Sequence, residues 1–138
     1  MNKSLLDTDI LSEIGKGIHP NVVRNATAYR NAFGRYTLSV ISIMEVVRGF
    51  QNKQSVRRLQ AFVASLPAME VLLLTESAAT AAGRIAGELE RLGRTIGIAD
   101  AMIAAIALEH GLELVTGNTT HFQRIQQLGY PLTLVNWR

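Results

Sequence analysis

Short apolar runs alternate with helical stretches along this 138-residue chain. Apolar runs bounded by turn residues indicate buried strands, whereas apolar residues that recur every three or four positions indicate amphipathic helices. On this basis strands are predicted at Ser4–Leu6, Tyr36–Val40, Met69–Leu74, Leu112–Thr116 and Leu132–Val135.

Helices are predicted between these strands, and several of their ends carry stop signals. Gly34, Pro67 and Gly111 each follow a periodic segment at the place where glycine or proline ends a helix. The predicted helical segments are a helix from Ile10 to Ile14 closed by Gly15 and Gly17, Val22–Phe33, Ser42–Gln51, Ser55–Leu66, a segment capped by Thr75 or Ser77 that runs to Leu92, Ala99–His110 and His121–Gln127.

This order of elements predicts an α/β fold. Strands that alternate with helices form a mainly parallel sheet with helices on both faces. No repeat and no low-complexity linker interrupts the chain, so residues 1–138 are expected to form a single domain. Val56, Leu59, Val63 and Leu66 recur at helical spacing, and we interpret this stripe as core packing rather than as a dimer surface.

The amino-acid composition excludes several classes of protein and of functional site. Hydrophobic residues make up 48% of the chain and charged residues 18%, which is enough for a folded core and argues against disorder. The absence of cysteine excludes a disulfide scaffold, a thiolate zinc site and a cysteine nucleophile. Because no signal peptide and no apolar run of about 20 residues is present, we expect a soluble cytoplasmic protein.

The formal net charge of +3 permits an anionic partner such as a nucleic acid but does not require one. Most of the clustered cations are interpreted as solvated helix faces, because charge runs ordinarily serve that purpose. The two clusters are Lys53, Arg57 and Arg58, and Arg84, Arg91 and Arg94.

Only three aspartates occur in the chain, and each interrupts an apolar segment. Asp7 and Asp9 follow the predicted strand Ser4–Leu6, and Asp100 lies in the nearly all-apolar stretch Ala99–Leu108. In open α/β folds, ligands bind at the carboxyl ends of the strands. These positions therefore point to a functional site.

Four polar side chains are expected to converge at that edge: Asp7, Glu45, Asp100 and Asn118. Two carboxylates about 4 Å apart repel each other by roughly 4 kcal/mol at an effective dielectric of 20. Several together need a cation or shared protons, and hard oxygen ligands select Mg²⁺ or Mn²⁺ rather than zinc. The prediction is a site that depends on a divalent cation.

The same acids can also be explained by purely structural roles at the starts of helices. Ser42 and Glu45 have the spacing of a capping box, in which the glutamate reaches back to the serine amide. The negative charge of Asp100 would interact favourably with the positive end of the dipole of its helix. Asp7 and Asp9 are good N-cap residues.

Taken together, the chain resembles the PIN-domain ribonucleases, in particular the toxin component of VapBC-type toxin–antitoxin pairs. The resemblance covers essentially the whole chain, and the order and spacing of its segments make it specific. The matching segments are Leu5–Leu11, Ser42–Glu45 followed by Arg48-Gly49, Ile98–Asp100 with Ile103–Ala105, Val115–Thr119 with Phe122, and Asn136-Trp137.

The resemblance implies a three-layer PIN-like domain and a Mg²⁺- or Mn²⁺-dependent endoribonuclease. Asp7, Glu45 and Asp100 would form its acidic core, with Asn118 at the fourth position. By the same resemblance Asp7 and Asp100 hold the metal, and Glu45 orients or deprotonates a water. Members are usually homodimers that a VapB-type antitoxin keeps inactive.

Hydroxyl and basic side chains near these acids are also given roles by the resemblance. Thr8 and Thr116 would orient the carboxylates or a metal-bound water. Arg48 or Arg94 are candidates to meet the RNA phosphates, although a solvated surface is the ordinary role of each.

Two positions depart from the family pattern. Asp9 stands where the family usually has asparagine, so it either joins the site or caps the helix. Asn118 stands where the family often has aspartate, and its amide oxygen can coordinate a metal but carries no charge. The number of metal ions, one or two, is therefore left open.

Two other functions remain open from sequence. Asp7 and Asp9 also resemble the opening of haloacid-dehalogenase-like phosphotransferases, although no lysine follows Lys53 to bind the phosphoryl group. A partner-binding module without catalysis is the third possibility, because fold does not determine function. The sequence does not decide whether transfer RNA or messenger RNA is cut.

Overall fold

The computed structural model describes residues 1–138 and contains all five strands and seven helices predicted above, with shifted ends. The strands are β1 (Ser4–Leu6), β2 (Thr37–Ser39), β3 (Glu70–Leu72), β4 (Glu113–Val115) and β5 (Leu134–Val135). The helices are α1 (Thr8–Lys16), α2 (Pro20–Phe33), α3 (Val40–Asn52), α4 (Val56–Ser65), α5 (Glu76–Arg91), α6 (Ile98–His110) and α7 (Thr119–Gln127), and a 3-10 turn covers Leu66–Ala68.

All strand pairs are parallel, as the alternation of elements predicts. One ladder has the order β1-β4-β5, the other pairs β2 with β3, and the two adjoin where β1 lies beside β2. Leu6 of β1 is in register with Val115 of β4. The residues that follow, Asp7 and Thr116, therefore leave the sheet side by side at its carboxyl edge.

Helices cover both faces of the sheet, because side chains along a strand point alternately to its two faces. Leu5 and Leu114 belong to the larger core cluster, which lies under α5, α6 and α7. Leu6 and Val115 belong to the smaller cluster, which lies under α1 and α2. The expected arrangement of helix, sheet and helix layers is confirmed.

Helix α6 is the most deeply buried helix of the larger core. Six of its residues are buried, and they include the run from Ile103 to Ala107. A helix that is apolar on all sides must be buried on all sides. Because α6 is fixed in this way, Asp100 in its first turn has a defined position at the edge of the sheet.

The core assignment of the stripe on α4 is wrong. No residue of this helix is buried, and Val56 and Val63 are 63% and 46% exposed. The helix packs chiefly on α3 and leaves much of its apolar face open. Periodicity identified an amphipathic helix, but it did not reveal what covers its apolar side.

The boundary between β2 and α3 also differs from the prediction. The strand ends at Ser39, and α3 begins at Val40 instead of Ser42, because the Ser39 hydroxyl accepts a hydrogen bond from the Ser42 amide at 3.2 Å. None of the helices is both long and apolar enough to cross a membrane.

Candidate active site

Asp7 is the most enclosed acid of the chain, at 5% exposure. It follows β1 and is the N-cap of α1, where its Oδ1 accepts a hydrogen bond from the Thr8 amide at 2.8 Å. Its Oδ2 accepts from the hydroxyl of Thr116, also at 2.8 Å, and Thr116 follows β4. The interpretation of Asp7 as a helix cap is therefore confirmed. Capping does not exclude a role in the site, because the second carboxylate oxygen is bound by Thr116 at the end of the neighbouring strand.

Burial, with smaller contributions from the nearby carboxylates of Asp9 and Asp100, raises the pKa of Asp7 to about 7. The hydrogen bonds from Thr116 and from the Thr8 amide act in the opposite direction but do not offset burial. Burial disfavours the charged form of an acid, and a nearby like charge does the same. A cation placed beside Asp7 would relieve both effects.

Glu45 lies in the second turn of α3 and is not part of a capping box. The N-cap of α3 is Ser39, and no acid occupies the first turn of this helix. The Glu45 carboxylate instead accepts a hydrogen bond from the Thr8 hydroxyl at 2.6 Å. The capping-box interpretation is wrong because α3 starts two residues earlier than the sequence suggested, and this shift frees Glu45 to face α1.

Asp100 lies in the first turn of α6, where the helix dipole favours a negative charge. Burial is the main cause that raises its pKa, the carboxylate of Glu45 adds to this increase, and His121 opposes it. Its Oδ2 is 3.9 Å from Nδ1 of His121. The Glu45 carboxylate is therefore close enough to raise the pKa of Asp100, although the two residues are 55 positions apart in sequence.

Asn118 is the N-cap of α7, but its side chain makes no capping hydrogen bond. Its amide group donates instead towards Nδ1 of His121, with 3.0 Å between the nitrogens. Its backbone N–H donates to the Thr116 hydroxyl at 3.0 Å. The side chain of Asn118 is thus turned from its own helix towards His121, which itself faces Asp100.

Sequence reasoning missed His121. It assigned no histidine to the site, yet His121 links Asn118 to Asp100 through the two contacts just described. The available signal was its spacing, because residues three positions apart on a helix lie on the same face. His121 follows Asn118 at this spacing.

Asp9 lies in the first turn of α1 rather than at its cap, so the capping interpretation of Asp9 is wrong. Its Oδ2 accepts a hydrogen bond from the Gly117 amide at 2.8 Å. Its Oδ1 is buried and has no hydrogen-bond partner. Burial raises the pKa of Asp9, while the Gly117 amide and the Arg138 guanidinium lower it.

The donor chemistry of the site fits a hard divalent cation. No three or more acid, histidine or cysteine side chains are close enough together to enclose a metal ion. Mg²⁺ is ordinarily held by only one or two carboxylates and keeps several of its waters, so a full protein cage is not required. Burial and neighbouring carboxylates raise the pKa of Asp7 and of Asp100, so a cation placed beside these two acids would stabilise their charged forms.

Comparison with known proteins adds a family and a set of relatives. Residues 4–128 match the model of the PIN domain. The "tRNA(fMet)-specific endonuclease VapC" of Shigella flexneri is 35% identical over 129 residues, which cover 91% of this chain and 93% of that protein. "Ribonuclease VapC10" of Mycobacterium tuberculosis is 30% identical over 136 residues, which cover 97% of this chain and 96% of that protein.

Solved structures agree with this relationship. The DNA-bound VapBC complex of Salmonella typhimurium contains a chain that superimposes with a TM-score of 0.80 at 30% identity, covering 100% of both chains. VapBC-1 of nontypeable Haemophilus influenzae contains one with a TM-score of 0.72 at 27% identity, covering 97% of both chains.

Proposed function

The chain belongs to the PIN-domain family, and we propose that it is a divalent-metal-dependent endoribonuclease toxin whose acidic centre consists of Asp7, Glu45 and Asp100. The observation that carries the proposal is the setting of Asp7. Its carboxylate is buried, held from both sides by Thr8 and Thr116, and raised in pKa to about 7 beside other acids. A group perturbed in this way at a strand end is typical of a functional site.

We assign metal binding to Asp7 and Asp100, and Asn118 is a further candidate through its amide oxygen. A bound Mg²⁺ or Mn²⁺ supplies an electrophile that acidifies water and neutralises phosphate charge. Thr116 orients Asp7 for this role, since its hydroxyl already donates to the Asp7 carboxylate. His121 performs the same task for Asn118, and the pair faces Asp100.

Glu45 is the proposed proton acceptor. One of its carboxylate oxygens, Oε1, is occupied by the Thr8 hydroxyl, and this contact fixes the direction of the side chain. The other oxygen, Oε2, makes no hydrogen bond within the protein and is free to accept a proton from a water. A positioned carboxylate base contributes about 10²- to 10⁴-fold to a reaction rate.

RNA is the proposed substrate, and transfer RNA is the first class to test. The Shigella flexneri relative is named a tRNA(fMet)-specific endonuclease, and the Mycobacterium tuberculosis relative is named a ribonuclease. Because transfer RNA and messenger RNA are intracellular, we propose that the protein acts in the cytoplasm.

A VapB-type antitoxin is the proposed partner, because solved neighbours of the chain are VapBC complexes. The surface of α4 supports an interaction with protein: its apolar face is largely open, with Val56 and Val63 both exposed. Exposed apolar side chains grouped on one helix are typical of surfaces that bind other proteins. A homodimer is also proposed, because the exposed apolar face of α4 is a surface on which a second copy of the chain could pack.

The phosphotransferase alternative fails on the family match and on the geometry of Asp9. That mechanism requires Asp9 to act as a general acid on the substrate. In the structure Asp9 accepts a hydrogen bond from the Gly117 amide and faces Arg138 instead.

The test is metal-dependent cleavage of purified transfer RNA and messenger RNA by the purified protein. We expect EDTA to abolish cleavage, Mg²⁺ or Mn²⁺ to restore it, and Asp7→Asn and Asp100→Asn each to reduce it at least about 100-fold with folding retained. Glu70→Gln is the matched control, because Glu70 lies at the start of β3, where it pairs with Lys3 and Arg35. Cleavage that persists in EDTA, or in Asp7→Asn, would refute the proposal.

Two further readouts show which other function the protein has if RNA cleavage is not observed. Turnover of p-nitrophenyl phosphate without RNA cleavage would indicate a phosphotransferase. A folded protein that neither cleaves RNA nor turns over this ester would indicate a binding module.

A further inference from the structure

The guanidinium group of Arg138 lies against Gly117 at the edge of the acidic centre. A methyl group added at Gly117 would lie 2.7 Å from the Arg138 Cζ and 2.8 Å from the Asp9 Oδ2, closer than real contacts allow. The Gly117 backbone is therefore in direct contact with both side chains. A side chain at position 117 would therefore require Arg138 and Asp9 to move aside, whereas the backbone dihedral angles of Gly117 do not themselves call for glycine.

Arg138 also faces two acids of α1. Its Nη2 is 3.8 Å from Asp9 Oδ2 and 3.6 Å from Glu13 Oε1. Asp9 and Glu13 are four residues apart on the helix, where like charges repel each other. No other lysine or arginine lies within 4.0 Å of either carboxylate, so Arg138 alone offsets their charge by direct pairing.

The chain segment before Arg138 is fixed by the core. Val135 of β5 is in register with Val115 of β4. Trp137 is buried, and its ring centroid is 5.9 Å from that of Tyr29. The carbonyl of Trp137 also accepts a hydrogen bond from the Asn25 side chain at 3.4 Å. Arg138 therefore leaves a rigid part of the structure and is directed towards Gly117.

The loop that Arg138 contacts carries the polar groups of the site. Thr116 donates to Asp7, Gly117 donates its amide to Asp9, and Asn118 contacts His121. A shift of Gly117 would move Thr116 and Asn118 together, because both are its immediate neighbours. Two contacts therefore hold this loop on α1, that of Thr116 with the N-cap Asp7 and that of Gly117 with Asp9.

We propose that Arg138 is a positioning residue for the active site. By pairing with Asp9, it keeps the Asp9 carboxylate on the Gly117 amide, which fixes the Thr116–Asn118 loop against α1. Asp9 is thereby a structural acid that is kept from competing with Asp7 for the metal. This inference rests on the proposed nuclease function and concerns only how its site is held.

The first test is a double-mutant cycle on unfolding, made in EDTA with Asp9→Asn, Arg138→Gln and the double variant. We expect Arg138→Gln to lower the melting temperature more than Asp9→Asn, because it leaves two acids without their cation. The double variant should melt at or above Arg138→Gln, since the neutral amide of an asparagine at position 9 needs no counter-charge. Additive effects of the two substitutions would overturn the proposed pairing.

The second test measures kcat and KM for RNA cleavage at saturating Mg²⁺. A positioning role predicts that Arg138→Gln lowers kcat by about tenfold and leaves KM within about twofold. In the Asp9→Asn background the same substitution should lower kcat much less, so the double variant should have nearly the kcat of Asp9→Asn. An unchanged kcat with a lowered melting temperature would show that Arg138 only stabilises the fold. A raised KM with unchanged kcat would show that it binds substrate, and either result overturns the inference.

Arg35→Gln is the matched control. Arg35 pairs with Glu70 at 3.3 Å, and both residues lie near the starts of β2 and β3, away from the carboxyl edge. This variant should leave kcat unchanged. If the unsubstituted protein cleaves no RNA, the proposed function fails, yet the cycle measured in EDTA still reports on the pairing.

Discussion

At the scale of single residues, the acidic centre is organised by hydroxyl groups. Thr8 connects Glu45 to α1, and Thr116 connects Asp7 to β4. These bonds hold carboxylates in place that would otherwise repel one another. The hydrogen bond from Thr8 occupies only one carboxylate oxygen of Glu45, so its other oxygen stays available to a water.

A substitution at Glu45 tests its proposed role as proton acceptor. We expect Glu45→Gln to reduce single-turnover RNA cleavage by about 10²- to 10⁴-fold, because the amide cannot accept the proton. Thermal unfolding should change little, since the amide oxygen still accepts from the Thr8 hydroxyl.

Thr8 provides the control for that contact. Thr8→Ser retains the hydroxyl and should keep activity within a few-fold, whereas Thr8→Val removes it and should lower activity. Equal activity of Glu45→Gln and the unsubstituted protein would exclude Glu45 as the base.

At the scale of elements, the start of α3 decides where Glu45 points. The helix begins at Val40 because the buried hydroxyl of Ser39 caps the Ser42 amide. Had the helix begun at Ser42, Glu45 would lie in its first turn and reach back to the serine amide. The earlier start places Glu45 in the second turn, where it reaches Thr8 on α1.

We expect Ser39→Ala to lower the free energy of unfolding by about 1 kcal/mol, the usual cost of losing an N-cap. Urea denaturation measures this change. Ser65→Ala is the control, because the Ser65 hydroxyl donates to the Phe62 carbonyl near the end of α4 and makes no capping hydrogen bond to the 3-10 turn that follows. A loss at Ser39 no larger than the loss at Ser65 would contradict the assigned cap.

At the scale of the whole molecule, the three-stranded parallel sheet β1-β4-β5 carries a core on each of its faces. The larger core lies under α5, α6 and α7, the smaller under α1 and α2, and β1 and β4 contribute to both. Since neither core can form without these strands, we propose that residues 1–138 fold as a single domain. The site lies at the carboxyl edge of the shared strands.

Stability should depend on pH through the acidic centre. The pKa of Asp7 is about 7 in the folded protein, whereas the ordinary value of an aspartate, 3.8, applies to the unfolded chain. At any pH between these two values the folded form therefore binds more protons than the unfolded form. Stability in EDTA is therefore expected to fall as pH rises from about 4 to 7, because proton release then accompanies unfolding. The raised pKa values of Asp9 and Asp100 act in the same direction.

Thermal unfolding in EDTA between pH 5 and pH 8 measures this dependence. Asp7→Asn should flatten the curve and raise stability at pH 8, because the buried charge is removed. Saturating Mg²⁺ at pH 8 should stabilise the unsubstituted protein, by about 2.7 kcal/mol at 100 times its Kd. Stability that increases with pH over this range would contradict the acidic centre described here.

Much of the fold was predictable from local pattern. The number and order of the strands and helices follow from apolar periodicity and from the stop signals at Gly34 and Gly111, both of which adopt the left-handed conformation. The candidate acids were predictable as well, because each stands at a place where a charge is costly unless it has a function. Their assignment as metal ligands stays a prediction.

The sequence by itself determined the order of elements and the identity of the acids, because spacing and side-chain chemistry are local properties. Only the tertiary structure decided that Glu45 reaches Thr8, that Asp9 meets Gly117 and Arg138, and that His121 joins the site. It also decided that α4 stays outside the core. These outcomes depend on contacts between residues far apart in the chain, whose geometry is set when the helices pack on the sheet and not by any local pattern.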